Sequence, residues 1–348
     1  MRRITYVFGI ILLLMFSLPL SAQPEVTPEP SPVVITIDDV EIDATTLSHH
    51  AILERLRLNY FINGNINLVL TFGFTDDANE AFNIAVQQNS VLNDAYLTIF
   101  STTRMGEVTV DGLVIGRLLR QTAQVLDVTI DEESRLAALT QAFNLSGDVF
   151  SNAQRLAVIE AFYKEAEENN IPVDTINRFV DDLTLRELLT PLLTDVNPLE
   201  VVVDSRHIML ETEAEALEII AQLEAGAAFE DLAVEFSTDT ASGQNGGALG
   251  VAPARNFVEP YAIAVTEGEI GVILGPVESR FGFHVIEVLS REEAEIPAAA
   301  YVRLQREAMD VWLDEQAESI TITYDDPDWL DWIPDIPAFV YRPLDEIE

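Results

Sequence analysis

Alternation opens the readable part of the chain. In VVITIDDVEI, residues 33–42, apolar and polar positions trade places on either side of an Asp-Asp pair, which predicts a strand with a turn in it. From Ala44 to Phe61 the apolar positions recur at helical spacing. Residues 62–103 are ambiguous, because helical periodicity around Ala78 to Val86 is interrupted by asparagine-rich breaks. Val110, Val114, Leu118 and Ala123 then hold one face through VTVDGLVIGRLLRQTAQVL. Helices follow at Glu133–Phe143, with Thr129 or Asp131 as candidate cap, at Asn152–Glu168 and at Val173–Leu193. Residues 33–195 therefore read as mostly helical with a strand at the front, and no internal repeat is visible.

The texture changes after Asn197-Pro198. A strand, Val201 to Leu210, leads into TEAEALEIIAQLEAG, where Thr212 and Glu215 form a capping-box pattern and Gly226 stops the helix. Phe229, Leu232, Ala233 and Phe236 predict a second short helix. A loop rich in glycine, serine and asparagine, STDTASGQNGGALG, follows, and the final strand is Phe283 to Leu289. Two strands flanking short helices in this span describe a compact α+β unit. Beyond it lie a helix from Ala298 to Ala317, an alternating SITITY and the acidic aromatic tail DDPDWLDWIPDIPAFVYRP. All three tryptophans, Trp312, Trp329 and Trp332, fall in this last part. Their burial would tie the tail to another domain, whereas exposure would mark a partner surface.

Composition changes this picture in three ways. Nearly half of the 348 residues are apolar, enough for a packed core and against wholesale disorder. Fifty-nine acidic against nineteen basic side chains give a formal charge of −40, which repels phosphate backbones and disfavours nucleic acid as a partner. The absence of cysteine removes disulfides, thiolate metal sites and cysteine nucleophiles together. At the front, MRRITYVFGIILLLMFSLPLSA has two arginines, an apolar run from Val7 to Leu20 and small residues at Ser21 and Ala22, the layout of a secretory signal peptide or a membrane tether. QPEVTPEPSP, residues 23–32, reads as an extended linker. An extracytoplasmic location is the expectation.

Four histidines carry the candidate chemistry. His207 and His284 each stand in a β-branched apolar run, where a neutral imidazole fits only if its N–H and its bare nitrogen find partners. Alternation sets His207 on the face of Ser205 and Met209, and His284 on the face of Ile286 and Val288. Either ring alone reads as a core histidine; two facing each other would satisfy one another. SGQNGGALG lacks the spacing and context of a phosphate loop, so its glycines are read as allowing positive φ or a close backbone approach. A facial triad of His207, His284 and Asp239 for iron has no supporting spacing, and no metal or cofactor is expected. No GxSxG elbow is present. His49 and His50 diverge by about 100° on a helix and are expected to be exposed.

Read in order, RHIML, a helix, LAVEFSTD, GGALG, NFVEPY and GPVESRFGFHVIEV resemble the parvulin family of peptidyl-prolyl cis/trans isomerases over residues 199–291. The resemblance implies a small mainly antiparallel sheet with short helices, and a catalytic centre of His207, Asp239, Ser279 and His284. With histidines that titrate near neutrality, activity is expected to fall below about pH 6 as imidazolium forms. The resemblance also implies a proline pocket at Leu249, Phe257 and Tyr261, and Met209 is grouped with these as substrate-binding. ETEAE stands where the family's phosphate-binding subgroup is basic, which argues against phospho-Ser/Thr-Pro preference. Ala248 and Val251 replace the aspartate and tryptophan of a common GGDLGWF, and Phe257 and Tyr261 are bulkier or more polar than usual. An active isomerase and a pure holdase both stay open. More faintly, VVITIDDVEI with its helix and MGEVTVDGLVIGRLL look like the front of SurA- and PrsA-type foldases, in which a helical chaperone domain is built from N-terminal segments plus the helix after the parvulin insert. The expected plan is an α+β protein: a leader at 1–22, a linker at 23–32, a helical chaperone-like domain at 33–198, a parvulin-like domain at 199–291, and a returning helix with tail at 292–348. Its expected partners are unfolded or nascent exported chains with X-Pro bonds. SITITY is expected to pair with VVITI.

Overall fold

The computed structural model describes residues 30–147 and 149–343. The leader expected at 1–22 and most of the linker at 23–32 lie outside the described residues. The described residues open on the hairpin β1 (Val33–Ile37) and β2 (Val40–Asp43), turned at Asp38 with φ of 54°. Helix α1 (Ala44–Thr71) follows at once, capped by the Asp43 carboxylate, which accepts from the Thr46 N–H at 2.7 Å.

Sequence periodicity ends this helix at Phe61, ten residues too early. Asparagine breaks helices when its amide competes for the backbone. Here the amides of Asn63, Asn65 and Asn67 instead donate to the carbonyls four residues back, at 2.8, 2.8 and 2.9 Å, and the turn continues. The ambiguous stretch that comes next folds as α2 (Ala78–Gln88) and α3 (Ser90–Ile99). Then come α4 (Thr102–Val125), α5 (Glu132–Ala142), α6 (Asn152–Glu168) and α7 (Val173–Leu193). Asp131, not Thr129, caps α5, with Ser134 reciprocating.

Helix α1 lies between two apolar centres. One gathers Val34, Leu47, Ile62, Leu92 and Met105; the other gathers Leu53, Phe143, Phe162 and Phe179. Burial on two sides overturns the expectation of exposed histidines. His50 is only 6% exposed, meets Phe179 edge-on at 6.2 Å, and has an Nδ1 without a hydrogen-bond partner of normal geometry. Burial first, and the Arg120 charge next, pull its pKa down to about 4. His49 is half-buried.

The second unit is built on β3 (Leu199–Leu210), α8 (Glu213–Glu224), α9 (Phe229–Phe236), α10 (Thr240–Gly243), β4 (Ala248–Pro253), α11 (Glu259–Glu267), β5 (Ile273–Ser279) and β6 (Gly282–Glu295). Its sheet is antiparallel, in the order β4-β3-β6-β5. The two edge strands escape a reading by alternation: β4 is rich in glycine and alanine, and β5 carries Gly275-Pro276 at a register shift. Ile208, Leu210 and Val285 face α8 and α9, while Val203, Ile286 and Val288 face Tyr261 and Val265 of α11. His207 and His284 alternate onto this second face.

Helix α12 (Ala298–Ala317) then returns to the first unit, setting Met309 and Leu313 against Leu119, Leu185 and Leu189. Strand β7 (Ile322–Tyr324) pairs antiparallel with β1, Ile37 opposite Ile322, as the alternation of SITITY predicts. The tail is tied down: Trp329, Leu330, Ile333, Phe339 and Tyr341 pack on the first apolar centre, although Trp332 keeps 39% of its surface exposed. Among the described residues no helix is long and apolar enough to cross a membrane.

Candidate active site

The centre of the α11 face is a line of polar side chains on an apolar floor. Met209 and His284 are cross-strand partners, so the two imidazoles sit almost opposite each other on β3 and β6. Their rings stack at 5.2 Å and 24°, and their Nδ1 atoms are 3.1 Å apart. His207 Nε2 lies 3.0 Å from Asp239 Oδ2 and 3.0 Å from Ser242 Oγ. Ser279 Oγ lies 2.7 Å from His284 Nε2.

These contacts fix the protons. Asp239 is held ionised below the usual carboxylate range, by the Ser242 hydroxyl first and by His207 as well, against burial. An anion only accepts, so His207 donates from Nε2–H and its Nδ1 is bare. That bare nitrogen requires Nδ1–H on His284, which leaves His284 Nε2 to accept the Ser279 hydroxyl proton. All donors therefore run one way, from Ser279 through His284 and His207 to Asp239. Both histidines cannot be protonated together, because two Nδ1–H groups would then meet at 3.1 Å. Burial, with the His207 charge next, pulls the His284 pKa to about 4; burial also lowers that of His207, against the Asp239 hydrogen bond and charge. The rings are buried, whereas the Asp239 side chain is 28% exposed and Ser279 half-buried, so the line ends at solvent on both sides.

Local structure explains how each group is held. The Ser237-Thr238 segment is stitched to β3 by Met209 N–H to Ser237 Oγ (3.2 Å) and Thr238 N–H to Met209 O (2.8 Å). Asp239 then caps α10, with Oδ1 facing the Ala241 and Ser242 amides and Oδ2 left for His207. In the glycine loop, Gly247 accepts the His207 N–H at 2.9 Å with φ of 81°. A Cβ there would stand 2.3 Å from the His207 carbonyl oxygen, so the loop's glycine serves close approach.

Tyr261, 2% exposed, forms the floor, edge-on to both imidazoles at 5.8 and 5.5 Å, with its hydroxyl 3.2 Å from buried Ser205. Burial pushes its phenol up to about 12, so it stays neutral. Phe257 leans on it at 4.8 Å, and Leu249 joins the same cluster, both half-buried. A cleft of about 470 Å³ opens beside Phe257, lined also by Val258, Pro260 and Arg280. Met209 is not in this apolar cluster; what it supplies is backbone to the Asp239 loop. Val251 is 69% exposed.

Seven of the eight residues singled out in the sequence thus meet in one place, Met209 stands beside them as the cross-strand partner of His284, and two more belong with them. Ser242 was legible only as the third residue after a capping aspartate, and Ser205 only as the strand neighbour of His207. Among the described residues no cluster of three or more His, Asp and Glu is arranged to hold a metal. The inner nitrogens of the histidines are spent on each other, which speaks against the iron triad.

The sequence model of the PPIC-type PPIASE domain matches residues 193–292. The chain is 43% identical over 106 residues to a probable parvulin-type peptidyl-prolyl cis-trans isomerase of Bordetella bronchiseptica, covering 30% of this chain and 41% of that protein, less than half its length. It is 27% identical over 265 residues to the foldase protein PrsA of Halalkalibacterium halodurans, covering 70% of this chain and 74% of the relative. A crystal structure of the peptidylprolyl isomerase PrsA from Bacillus cereus superposes with a TM-score of 0.44 at 18% identity, over 70% of this chain and 92% of that one.

Proposed function

We propose that residues 193–292, which match the PPIC-type PPIASE domain, accelerate cis/trans isomerisation of X-Pro bonds in unfolded polypeptides, and that the chain's helical body holds those polypeptides meanwhile. The observation that carries this is the unidirectional line Ser279–His284–His207–Asp239 beside the apolar surface of Leu249, Phe257 and Tyr261. The reaction crosses a rotational barrier of about 18–20 kcal/mol and needs no covalent bond to the protein. What it needs is a grip on the proline ring and surroundings that favour the twisted amide over either planar form. Leu249 and Phe257, over the Tyr261 floor, supply the grip. The rotating carbonyl lies against the Asp239–Ser279 line, whose donors are oriented beforehand and whose buried imidazoles stay neutral. Asp239 tunes this polarity and is no nucleophile.

The turn after β3 supports a preference for unphosphorylated clients. Glu211, Glu213 and Glu215 cluster there, where a phosphate would meet only repulsion. The leader-like residues 1–22 support an extracytoplasmic setting, free or tethered. A coupled assay on an Ala-Xaa-Pro-Phe peptide, with His284→Ala as control, tests the isomerase reading. A second reading, a holdase whose parvulin domain only binds, is favoured by the bulk of Tyr261 on the floor and by the exposed Val251. No acceleration at micromolar protein would leave that reading alone.

A further inference from the structure

The last described residues run extended along α1 in an unusual way: they are held by their main chain. Ser48 Oγ donates to the Trp332 carbonyl at 2.6 Å, and Arg55 to the Pro334 carbonyl at 3.1 Å. The Asn63 amide donates to the Val340 carbonyl at 3.1 Å and accepts the Arg342 N–H at 2.8 Å. Asn67 donates to the Arg342 carbonyl at 3.3 Å. From Ser48 to Asn67 α1 rises about 28 Å at 1.5 Å per residue, and ten extended residues from Trp332 to Arg342 reach about 33 Å. The two segments therefore run side by side in the same direction. Asn63 spans the C=O of one tail residue and the N–H two further on, the pattern that one residue of a neighbouring parallel strand makes. A side-chain amide is standing in for backbone, and such contacts are blind to sequence.

Two side chains of the tail are read as well, on opposite sides, as residues three apart in an extended chain must be. Phe339 enters an aromatic niche with Phe82 at 6.4 Å and Tyr96 at 6.3 Å. Arg342 makes a two-pronged pair with Glu165, both contacts 2.7 Å, over the Tyr60 ring at 5.5 Å. The tail itself is lightly covered: from Asp331 to Pro343 only Ile333 is buried. Beneath it, Arg55, Asn59, Asn63 and Asn67 are all buried, at helical spacing. Asn59, between the Arg55 and Asn63 contacts, keeps an Oδ1 with no partner; the tail's intervening stretch contains Pro337, which has no N–H to give. The groove is thus equipped for an extended chain and imperfectly matched to the one that fills it.

We infer that the α1 groove is a binding site for extended segments of unfolded polypeptide carrying an aromatic residue and, three residues later, an arginine, and that the chain's own tail is a built-in competitor for it. The strongly negative surface favours such basic segments. The inference deepens the holding role proposed above and rests on it, but its test does not involve the parvulin site.

A fluorescein-labelled peptide IPAFVYRP, copying Ile336 to Pro343, is titrated by anisotropy into the full chain and into a chain ending at Pro334. A competitor occupying the site lowers apparent affinity by the fraction of time it is bound. The shortened chain is expected to bind the peptide at least about tenfold more tightly than the full chain. Peptides with alanine for the phenylalanine or for the arginine are expected to lose at least about tenfold. Should the shortened chain not fold, full-length Phe339→Ala/Arg342→Ala, altered only in the tail, takes its place with the same expected gain. Equal binding to full-length and tail-released chains, or no binding to a folded tail-released chain, overturns the inference. Tetrapeptide isomerisation on the same samples reads the other site, so an inactive parvulin domain leaves the groove fully tested.

Discussion

Replacing Asp239 by asparagine keeps the shape of the site and changes its sense. One amide oxygen can still cap α10 through the Ala241 and Ser242 amides, so the NH₂ must face His207 Nε2 and Ser242 Oγ. His207 then has to accept at Nε2 and donate from Nδ1, His284 has to donate from Nε2, and Ser279 becomes an acceptor. The line reverses along its whole length while every distance stays serviceable. Two hydrogen bonds lose their charge assistance, a destabilisation of about 1–2 kcal/mol. Asp239→Ala strands the same donors outright and is expected to cost about 2–3 kcal/mol. If the direction of the line governs the rotating amide, Asp239→Asn lowers kcat/KM by about 10- to 100-fold, or about 1.4–2.7 kcal/mol of transition-state stabilisation. The assay pairs peptide isomerisation with ¹⁵N spectra of the imidazoles at neutral pH. The wild type should show His207 protonated at Nε2 and His284 at Nδ1, and the variant the reverse. Wild-type spectra with both rings protonated at Nε2 would refute the reasoning, as would a variant with inverted tautomers and undiminished turnover.

Three further outcomes are expected from the same structure. The isomerase rate should fall with a midpoint below that of an ordinary histidine, because burial lowers the His207 pKa, and burial with the His207 charge next pulls that of His284 down to about 4; a midpoint above pH 6, which an unperturbed histidine would give, contradicts this. His50 takes up its proton at about 4 when folded but near 6.5 when unfolded, so the unfolded chain binds more protons between those values and stability is lost as pH falls through that window. At pH 5 this loss is about 2 kcal/mol, and His50→Leu should abolish that part of the slope in denaturant titrations run at pH 5 and pH 8. Gly247→Ala should destabilise by about 2–4 kcal/mol and shift the His207 resonances, since its Cβ meets the His207 carbonyl at a positive φ; a silent substitution would show that the loop does not lean on β3.

The strong periodicities were legible. Helices α6 and α7 run from the first to the last residue that their apolar faces and caps predict, and SITITY finds VVITI across almost the whole chain. What was not legible depended on partners remote in sequence. Asn63 and Asn67 look like helix breakers until the tail lies beside them. His50 looks solvated until a second apolar centre forms on the far side of α1. Strands β4 and β5 take their conformation from β3 and β6, since their own residues scarcely alternate. In the site, the histidines stood out by type and Asp239 only through the resemblance of its segment, whereas Ser205 and Ser242 are ordinary residues made important by what they touch. The lowered pKa values of His207 and His284 escape the sequence for a similar reason: desolvation depends on packing that no single stretch announces.

The pairing of β1 with β7 has a consequence for the order of assembly. Thr36 and Asp325 share a 2.7 Å hydrogen bond across 289 residues of chain. During synthesis the front hairpin must therefore wait for a neighbour that is made 289 residues later, while the β3–β6 unit emerges complete and free to settle first. The helical body is a lock whose bolt arrives after the β3–β6 unit. A cut that removes only β7 and the tail beyond it should loosen the opening residues of the chain before it disturbs the middle.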